Sequence, residues 1–308
     1  MEKKFIIPQD RFKEYKDDKC WQSHIRDVNY ISDIQEVCEK INVTEEEIKN
    51  IKVEDLYFVY IDKEEKEKCQ LVKEFIEKHE WLGKLPTRPT HRFAAFYKGY
   101  LAGVIVMATP NAFSNLLGKE NRGLEKLISR GACISWSPKN LGSALIMFSI
   151  RWMVKNTEYR VFTAYSDTEA KELGTIYQAC NFYYIGQNSG STKTFFDKNR
   201  PHLGWFSDRN FRHRSYYKFY CKEMGLKTEK EWFNGDKIRW DLMPEGVEKK
   251  IRDYSKYYQT ICEVRSVSPK HKYVYVLGKS KTDTKILRKK FEEINKDKIK
   301  PYPKERGK

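Results

Sequence analysis

Apolar and polar positions in the middle of this chain fall into a run of strand, helix, strand, helix and strand. Residues Ile128 to Ser135 are apolar and short enough for a buried strand, and the run from Leu145 to Val154 has helical spacing. That helix opens at Ser137-Pro138-Lys139-Asn140-Leu141-Gly142-Ser143-Ala144. Arg160 to Tyr165 predicts the next strand, ending at Asp167; a helix follows through Gly174-Thr175-Ile176-Tyr177, and Asn181 to Gly186 begins another strand. Upstream, Leu56 to Ile61 predicts a strand, and Lys63 to His79 a helix with Cys69, Val72, Phe75 and Ile76 on one face. Arg92 to Tyr97 turns at Lys98-Gly99 into Tyr100 to Met107, a hairpin with Gly103 as a candidate bulge. Residues 111–126 are polar and glycine-containing, a surface connection that could lid a substrate site. Tyr273 to Leu277 is rich in strand formers, and Lys285 to Asn295 predicts a basic helix.

The expected fold class is therefore α/β (α+β), a mixed central sheet flanked by helices over residues 54–190. Residues 1–53 form an acidic helical extension, with Thr44 and Glu47 spaced as a capping box. Residues 191–308 form a basic, aromatic-rich extension packed on the core.

Charge sharpens this division. The net charge of +16 over 308 residues splits as −6 in residues 1–80, +7 in 81–190 and +15 in 191–308. The last third also interleaves cations with rings, as in Trp205-Phe206-Ser207-Asp208-Arg209-Asn210-Phe211-Arg212-His213-Arg214-Ser215-Tyr216-Tyr217-Lys218. A solvated basic surface would explain the charge, but guanidinium groups can also neutralise phosphates while aromatic faces stack on an extruded base, so a polyanion is the favoured partner. Seven cysteines without a C-x-x-C pair point to free thiols in a reducing cytoplasm. Met1 to Asp10 has no long apolar stretch, and Tyr100 to Ala108, the most apolar segment, is far too short to span a bilayer. A soluble protein without membrane attachment is expected.

The helix opening is a candidate anion site, because uncapped N–H groups and the positive end of the helix dipole attract phosphate. Gly142, Ser143 and Ala144 are small enough to admit a pyrophosphate, with Arg130 and Lys139 as candidate phosphate partners; Arg130 could equally be a strand-edge surface residue. Tyr177 has the chemistry to protonate a departing thiolate, although the same spacing also suits an amphipathic core tyrosine.

Strand, phosphate-binding helix start, strand and late-helix tyrosine resemble the GNAT pattern of acyl-CoA-dependent N-acyltransferases, in which that tyrosine precedes a Gly-Phe pair by four residues. Here Asn181 stands in place of the glycine, and asparagine also enters the left-handed conformation. Tyr165-Ser166-Asp167, Gly174-Thr175-Ile176-Tyr177-Gln178-Ala179, Asn181 and Gly186 further resemble the Mom family, phage DNA-modification proteins on a GNAT-like fold. The resemblance runs through Arg130, Pro138-Lys139-Asn140 and Ser143, His79 before Leu82-Gly83, Pro269-Lys270-His271-Lys272-Tyr273-Val274-Tyr275 and Pro301-Tyr302-Pro303-Lys304, about residues 56–304. One departure stands out: the family's Gly-His, four and five residues after the aspartate, is Lys171-Glu172 here.

The resemblance implies transfer of a carbamoylmethyl or methylcarbamoyl group to N6 of adenine in double-stranded DNA, protecting it from restriction, with acetyl-CoA or a related acyl-CoA as cofactor. Arg130, Lys139, Asn140, Gly142, Ser143 and Ala144 would bind the cofactor. Tyr177 would be the acid, Asp167 the first choice of base and His79 the second, although a histidine closing a helix can also serve the helix dipole. Tyr165 and Asn181 would hydrogen-bond the base or hold the loop, and Arg209, Arg212 and Arg214 would contact DNA. Iron is a further implication of the family, but the sequence has no His-x-x-x-His or cysteine cluster and offers only His79, Asp167 and Glu172 as scattered candidates. Two other functions compete: a CoA-dependent N-acetyltransferase acting on a protein, a small amine or a tRNA, and a nucleic-acid-binding protein without catalysis.

Overall fold

The hairpin turn sets the sheet in motion: Lys98 and Gly99 both sit at positive φ, 45° and 85°, as a two-residue turn matched to strand twist requires. In the computed structural model it joins β2 (Pro89–Tyr97) to β3 (Tyr100–Ala108). The structure describes residues 12, 15, 17–86, 88–110, 113–189, 193–234 and 238–304. Among these, residues 15–189 and 269–304 form one compact unit, and Phe12 with residues 193–268 a second.

The first unit holds a seven-stranded sheet in the order β1-β2-β3-β4-β5-β10-β6, where β1 is Tyr57–Ile61, β4 Glu125–Cys133, β5 Val161–Ser166, β6 Tyr183–Ser189 and β10 Lys270–Val276. Its pairs are antiparallel except β4 with β5. The crossover between those two is α4 (Leu141–Asn156), which buries Leu145, Ile146, Ser149, Ile150, Met153 and Val154 in a stripe of helical period. Before it come α1 (Trp21–Ile41), α2 (Glu45–Lys49) and α3 (Lys66–His79).

The one parallel pair is short. Its register runs from Glu125↔Val161 to Ile128↔Ala164, although β4 continues to Cys133 and β5 to Ser166, so the two strands part in mid-sheet. A bulge marks the parting: β4 advances from Ile128 to Arg130 while β3 moves one residue, from Met107 to Val106, leaving Ser129 unmatched. The bulge expected at Gly103 falls beside it, between Ala95↔Gly103 and Phe96↔Leu101. Gly103 instead lets α4 approach, since a Cβ there would lie 3.4 Å from a Leu145 methyl.

The main cluster lines both faces of the sheet across β2 and β3, where the consecutive residues Phe93–Ala95 and Val104–Met107 all belong to it together with Val72 and Ile76 of α3 and Leu145 and Ile150 of α4. At the β5 and β10 end a second cluster takes one face, where Val161, Val274 and Val276 meet Phe291 of α8 (Lys281–Asn295). There the neighbours Phe162 and Tyr273 turn to the main cluster, as the alternation of a strand demands.

The capping box is present, Thr44 Oγ1 accepting the Glu47 N–H at 3.2 Å, and the helical extension before residue 54 adds to the core of the sheet unit, where Ile34 and Val37 of α1 are buried. Two boundaries differ from the sequence expectation. The region drawn as residues 191–308 is divided, because β10 returns to the central sheet between β5 and β6. The expected lid, as far as it is described, is anchored: Leu116 and Leu117 are buried in the α8-side cluster, the Ser114 N–H donates to Glu125 Oε2 at 2.8 Å, and the Lys272 ammonium donates to the Ser114 hydroxyl. Residues 111 and 112 lie outside the described residues.

The second unit contains a three-stranded antiparallel sheet, β8 (Trp205–Ser207), β7 (Lys193–Phe196) and β9 (Glu263–Ser266) in that order, with α6 (Arg214–Glu223) and α7 (Val247–Ile261). Its core is aromatic, including Phe206, Phe211, Tyr216, Tyr217 and Tyr220. No helix among the described residues is long and apolar enough to cross a membrane.

Candidate functional site

The first component is the start of α4. Asn140 stands at φ 70° and turns the chain into the helix, with the Leu141 N–H donating to Pro138 O at 3.2 Å. Asn140 O then accepts the Ala144 N–H at 3.0 Å and the Ser143 hydroxyl at 2.9 Å. The N–H groups of Gly142 and Ser143 are left without an acceptor among the described residues. Two of the three expected amide donors are therefore open to an anion, while that of Ala144 is spent inside the helix. Lys139 and Asn140 are exposed beside them.

A glycine couples this helix start to the tyrosine. A Cβ on Gly142 would lie 2.7 Å from Ile176 Cδ1, so a side chain there would push aside the end of the Ile176 side chain on α5 (Thr175–Ala179). Gly174, at φ 70°, precedes that short helix, and a side chain there would overlap the Tyr273 ring and the Ser166 hydroxyl. Tyr177 follows, its ring 5.4 Å from that of Tyr273 and 5.3 Å from that of Phe182. Its hydroxyl has no hydrogen-bond partner among the described residues. Burial, then the carboxylate of Glu172, the thiol of Cys180 and the carboxylate of Glu80, hold this phenol well above the usual tyrosine range. It stays protonated at neutral pH and can act as a donor.

Around the loop after β5 three carboxylates meet one ammonium. Asp167 Oδ1 accepts the Glu169 N–H at 3.0 Å, and Oδ2 pairs with Lys270 Nζ at 2.5 Å. Glu172 accepts the Trp81 indole N–H on Oε1 at 3.1 Å and the Asp167 N–H on Oε2 at 3.0 Å. No cation pairs with Glu172 among the described residues, and burial pushes its carboxyl up to about 7, with Asp167 and Glu80 adding to the rise against the Asp167 N–H and Lys270. Glu80 accepts the Gly83 N–H at 3.0 Å and is itself raised by burial, with Arg130 opposing. Arg130 donates to Lys84 O at 2.9 Å and to Ser129 O at 2.6 Å, so its guanidinium braces the β4 bulge.

His79 belongs to a different network. It closes α3, is 5 % exposed, and lies with Nδ1 3.5 Å from Asp33 Oδ2. Asp33, fully buried on α1, also pairs with Lys78 at 2.9 Å and accepts the Ser135 hydroxyl at 2.7 Å. Burial holds the imidazole below its usual range, hence neutral. No hydrogen bond or ion pair joins it to Asp167 or Tyr177.

With this geometry in place, residues 66–304 match the model of the Mom protein family. The chain belongs to the Mom protein family. Solved structures with similar segments include an N-acetyltransferase from Staphylococcus aureus (14 % identity, 47 % of this chain and 91 % of that one, TM-score 0.32). Another is a Bacillus subtilis acetyltransferase in complex with CoA (12 % identity, 72 % and 99 %, TM-score 0.32). No curated protein matches.

Other residues expected to serve this Mom-family chain fall elsewhere. Tyr165 lies on β5 under the Lys272 ammonium, 5.5 Å from its ring centre. Asn181, at φ 57°, lines an open groove of about 400 Å³ with Phe182, Tyr184, Arg288, Lys300 and Tyr302. Arg209, Arg212 and Arg214 are in the second unit, where Arg212 is already paired with Asp208 at 2.8 Å. The rings expected to stack on a base are mostly core there: Phe206, Phe211, Tyr216 and Tyr217 are buried, because alternate residues of β8 and one face of α6 point inward. Iron finds no fit, since no three His, Cys, Asp or Glu side chains among the described residues are placed to hold a metal ion together.

Sequence reasoning passed over Glu80 and Trp81 and gave no role to Lys270. The one local signal was Glu172, conspicuous as the departure from the family's Gly-His.

Proposed function

We propose that this chain transfers an acyl-type group from acyl-CoA to the N6 amine of adenine in double-stranded DNA, leaving a modified base that masks restriction sites. The observation that carries the reading is the unpartnered hydroxyl of Tyr177, on a helix packed through Ile176 against the open amide donors at the start of α4. Tyr177 is half-buried beside the main core, and its hydroxyl is left to donate to a molecule bound there. Family membership directs the reading to adenine in DNA, and the parted β4 and β5 strands leave β4 beyond Ile128 without a partner on that side.

Acyl-CoA, when bound, supplies an activated carbonyl carbon and a thiolate leaving group. The Gly142 and Ser143 N–H groups would hold its phosphates, with Lys139 beside them. Tyr177 gives its proton to the departing sulfur as the amine nitrogen bonds to the carbonyl carbon and the carbon–sulfur bond breaks. Adenine's exocyclic amine is a weak nucleophile, its lone pair being delocalised into the ring, so the amine must lose a proton as it attacks.

Mass spectrometry of nucleosides from plasmid DNA, with and without expression of the protein, tests the reading. A new adenosine-derived nucleoside is expected. Unchanged nucleosides, with thioester cleaved on addition of a protein, small amine or tRNA, would establish an N-acetyltransferase of another substrate class instead. The burial of the 205–217 aromatics favours that alternative, because it removes most rings once available for stacking on a base.

A further inference from the structure

We propose that Glu172, rather than Asp167, takes the proton from the attacking amine, and that Asp167 with Lys270 positions the loop that presents it. This deepens the transfer reaction above and rests on it.

The two carboxylates differ in what their oxygens already do. Asp167 has one oxygen on the Glu169 N–H and the other in the ion pair with Lys270, and its carbonyl receives the Ala170 and Glu172 N–H groups at 3.2 and 3.1 Å. That is how an aspartate fastens a turn. A carboxylate so engaged is a poor base, because protonation would break a charge-assisted bond. Glu172 has one N–H on each oxygen, from Trp81 and Asp167, which aims the carboxylate and leaves a lone pair on each.

The charged groups facing Glu172 set its basicity. Asp167 in its own loop and Glu80 after α3 oppose its negative charge; Lys270 on β10 favours it, but that ammonium is committed to Asp167. Tyr177 on α5 lies within electrostatic reach, and Arg130 on β4 acts through Glu80. Burial and these charges bring Glu172 to about 7 and hold Tyr177 far higher, so at neutral pH one group can accept a proton while the other donates. Environments that push two titratable groups apart in this way assign a base and an acid. The balance closes: nitrogen loses one proton to Glu172, sulfur gains one from Tyr177, and a proton returned from Glu172 to the tyrosinate through solvent resets both.

Glu172→Gln keeps the shape but cannot accept a proton. Modification of DNA by the full-length variant should fall by about a hundredfold, with unchanged binding of CoA and DNA, and the rise of rate with pH through neutrality should flatten. Asp167→Asn should cost less, because the amide oxygen still accepts the Glu169 N–H. A Glu172→Gln variant with the wild-type rate and pH profile, or one less impaired than Asp167→Asn, overturns the proposal. Should Glu172→Gln fail to fold, Trp81→Phe removes one donor from the carboxylate and should move the midpoint of the pH profile upward; an unmoved midpoint overturns the assignment. A separate readout is independent of the DNA reaction: carboxyl NMR titration of the wild-type protein should show one glutamate titrating near neutrality, absent in Glu172→Gln. A Glu172 signal titrating in the ordinary carboxylate range sinks the proposal even if modified adenosine is found. Absence of modified adenosine, with that near-neutral signal present, removes the DNA substrate and leaves the base assigned.

Discussion

In the second unit Asp197, 2 % exposed, accepts hydroxyl hydrogen bonds from Tyr216 and Tyr258 at 3.1 Å and the Asn199 N–H at 2.9 Å. In the sheet unit Glu172 and Tyr177 bring the same pair of groups near each other, but no hydrogen bond joins them and the phenol donates to nothing. Burial raises the phenols in both places, and Tyr258 is pushed up to about 12. What separates them is satisfaction. Where every donor has its acceptor the arrangement is a fastening, and moving a proton would break it. Where the donor is left free and the carboxylate is desolvated without a cation, the groups are poised to exchange protons with a third molecule.

The sharpest way to break this comparison is to exchange its consequences. Asp197→Ala leaves two buried hydroxyls without an acceptor and should lower stability by about 2–5 kcal/mol. Urea unfolding measures it, and a loss well under 1 kcal/mol would mean that the tyrosines find other partners. Tyr177→Phe should do the reverse. It deletes a hydroxyl that bonds to nothing, so the unfolding midpoint should hardly move while turnover falls about a hundredfold; near-normal turnover would return Tyr177 to the role of a core tyrosine.

A pH experiment sharpens the contrast. The folded Glu172 carboxyl lies near 7, above its unfolded value, so the protonated form is the one that folding favours. Its contribution is fully present below the unfolded pKa, roughly 4.5, and is lost as pH rises through about 7. Glu172→Gln should therefore be more stable than wild type at pH 8, by on the order of 1–3 kcal/mol, with the gap closing toward pH 4. Equal stabilities at pH 8 would show that the carboxylate is solvated.

The smallest effect is expected for three arginines of the second unit. Replacing Arg209, Arg212 and Arg214 together by Gln should reduce the salt dependence of DNA binding by fewer than three phosphate contacts, because Arg212 already pairs with Asp208. An unchanged slope would place the phosphates on other cations.

Local spacing determined much of this molecule before any tertiary contact is considered. The stripe of Leu145, Ile146, Ile150, Met153 and Val154 makes a helix, small residues at its start leave amide donors open, Lys98-Gly99 makes a hairpin turn, and Thr44 with Glu47 makes a cap. Each depends on residues a few positions apart, and the run through Tyr177 carried the family with it. Tertiary structure decided what distant partners do to equivalent groups. Lys270 reaches Asp167 across 103 positions and Trp81 reaches Glu172 across 91, and these two bonds make one carboxylate a fastener and leave the other available. The same closure drew β10 from the tail into the sheet, took His79 into the Asp33 network, and turned the rings of the 205–217 run inward. No periodicity encodes such outcomes, because desolvation and pairing depend on what the folded chain brings alongside a group, not on its neighbours in sequence.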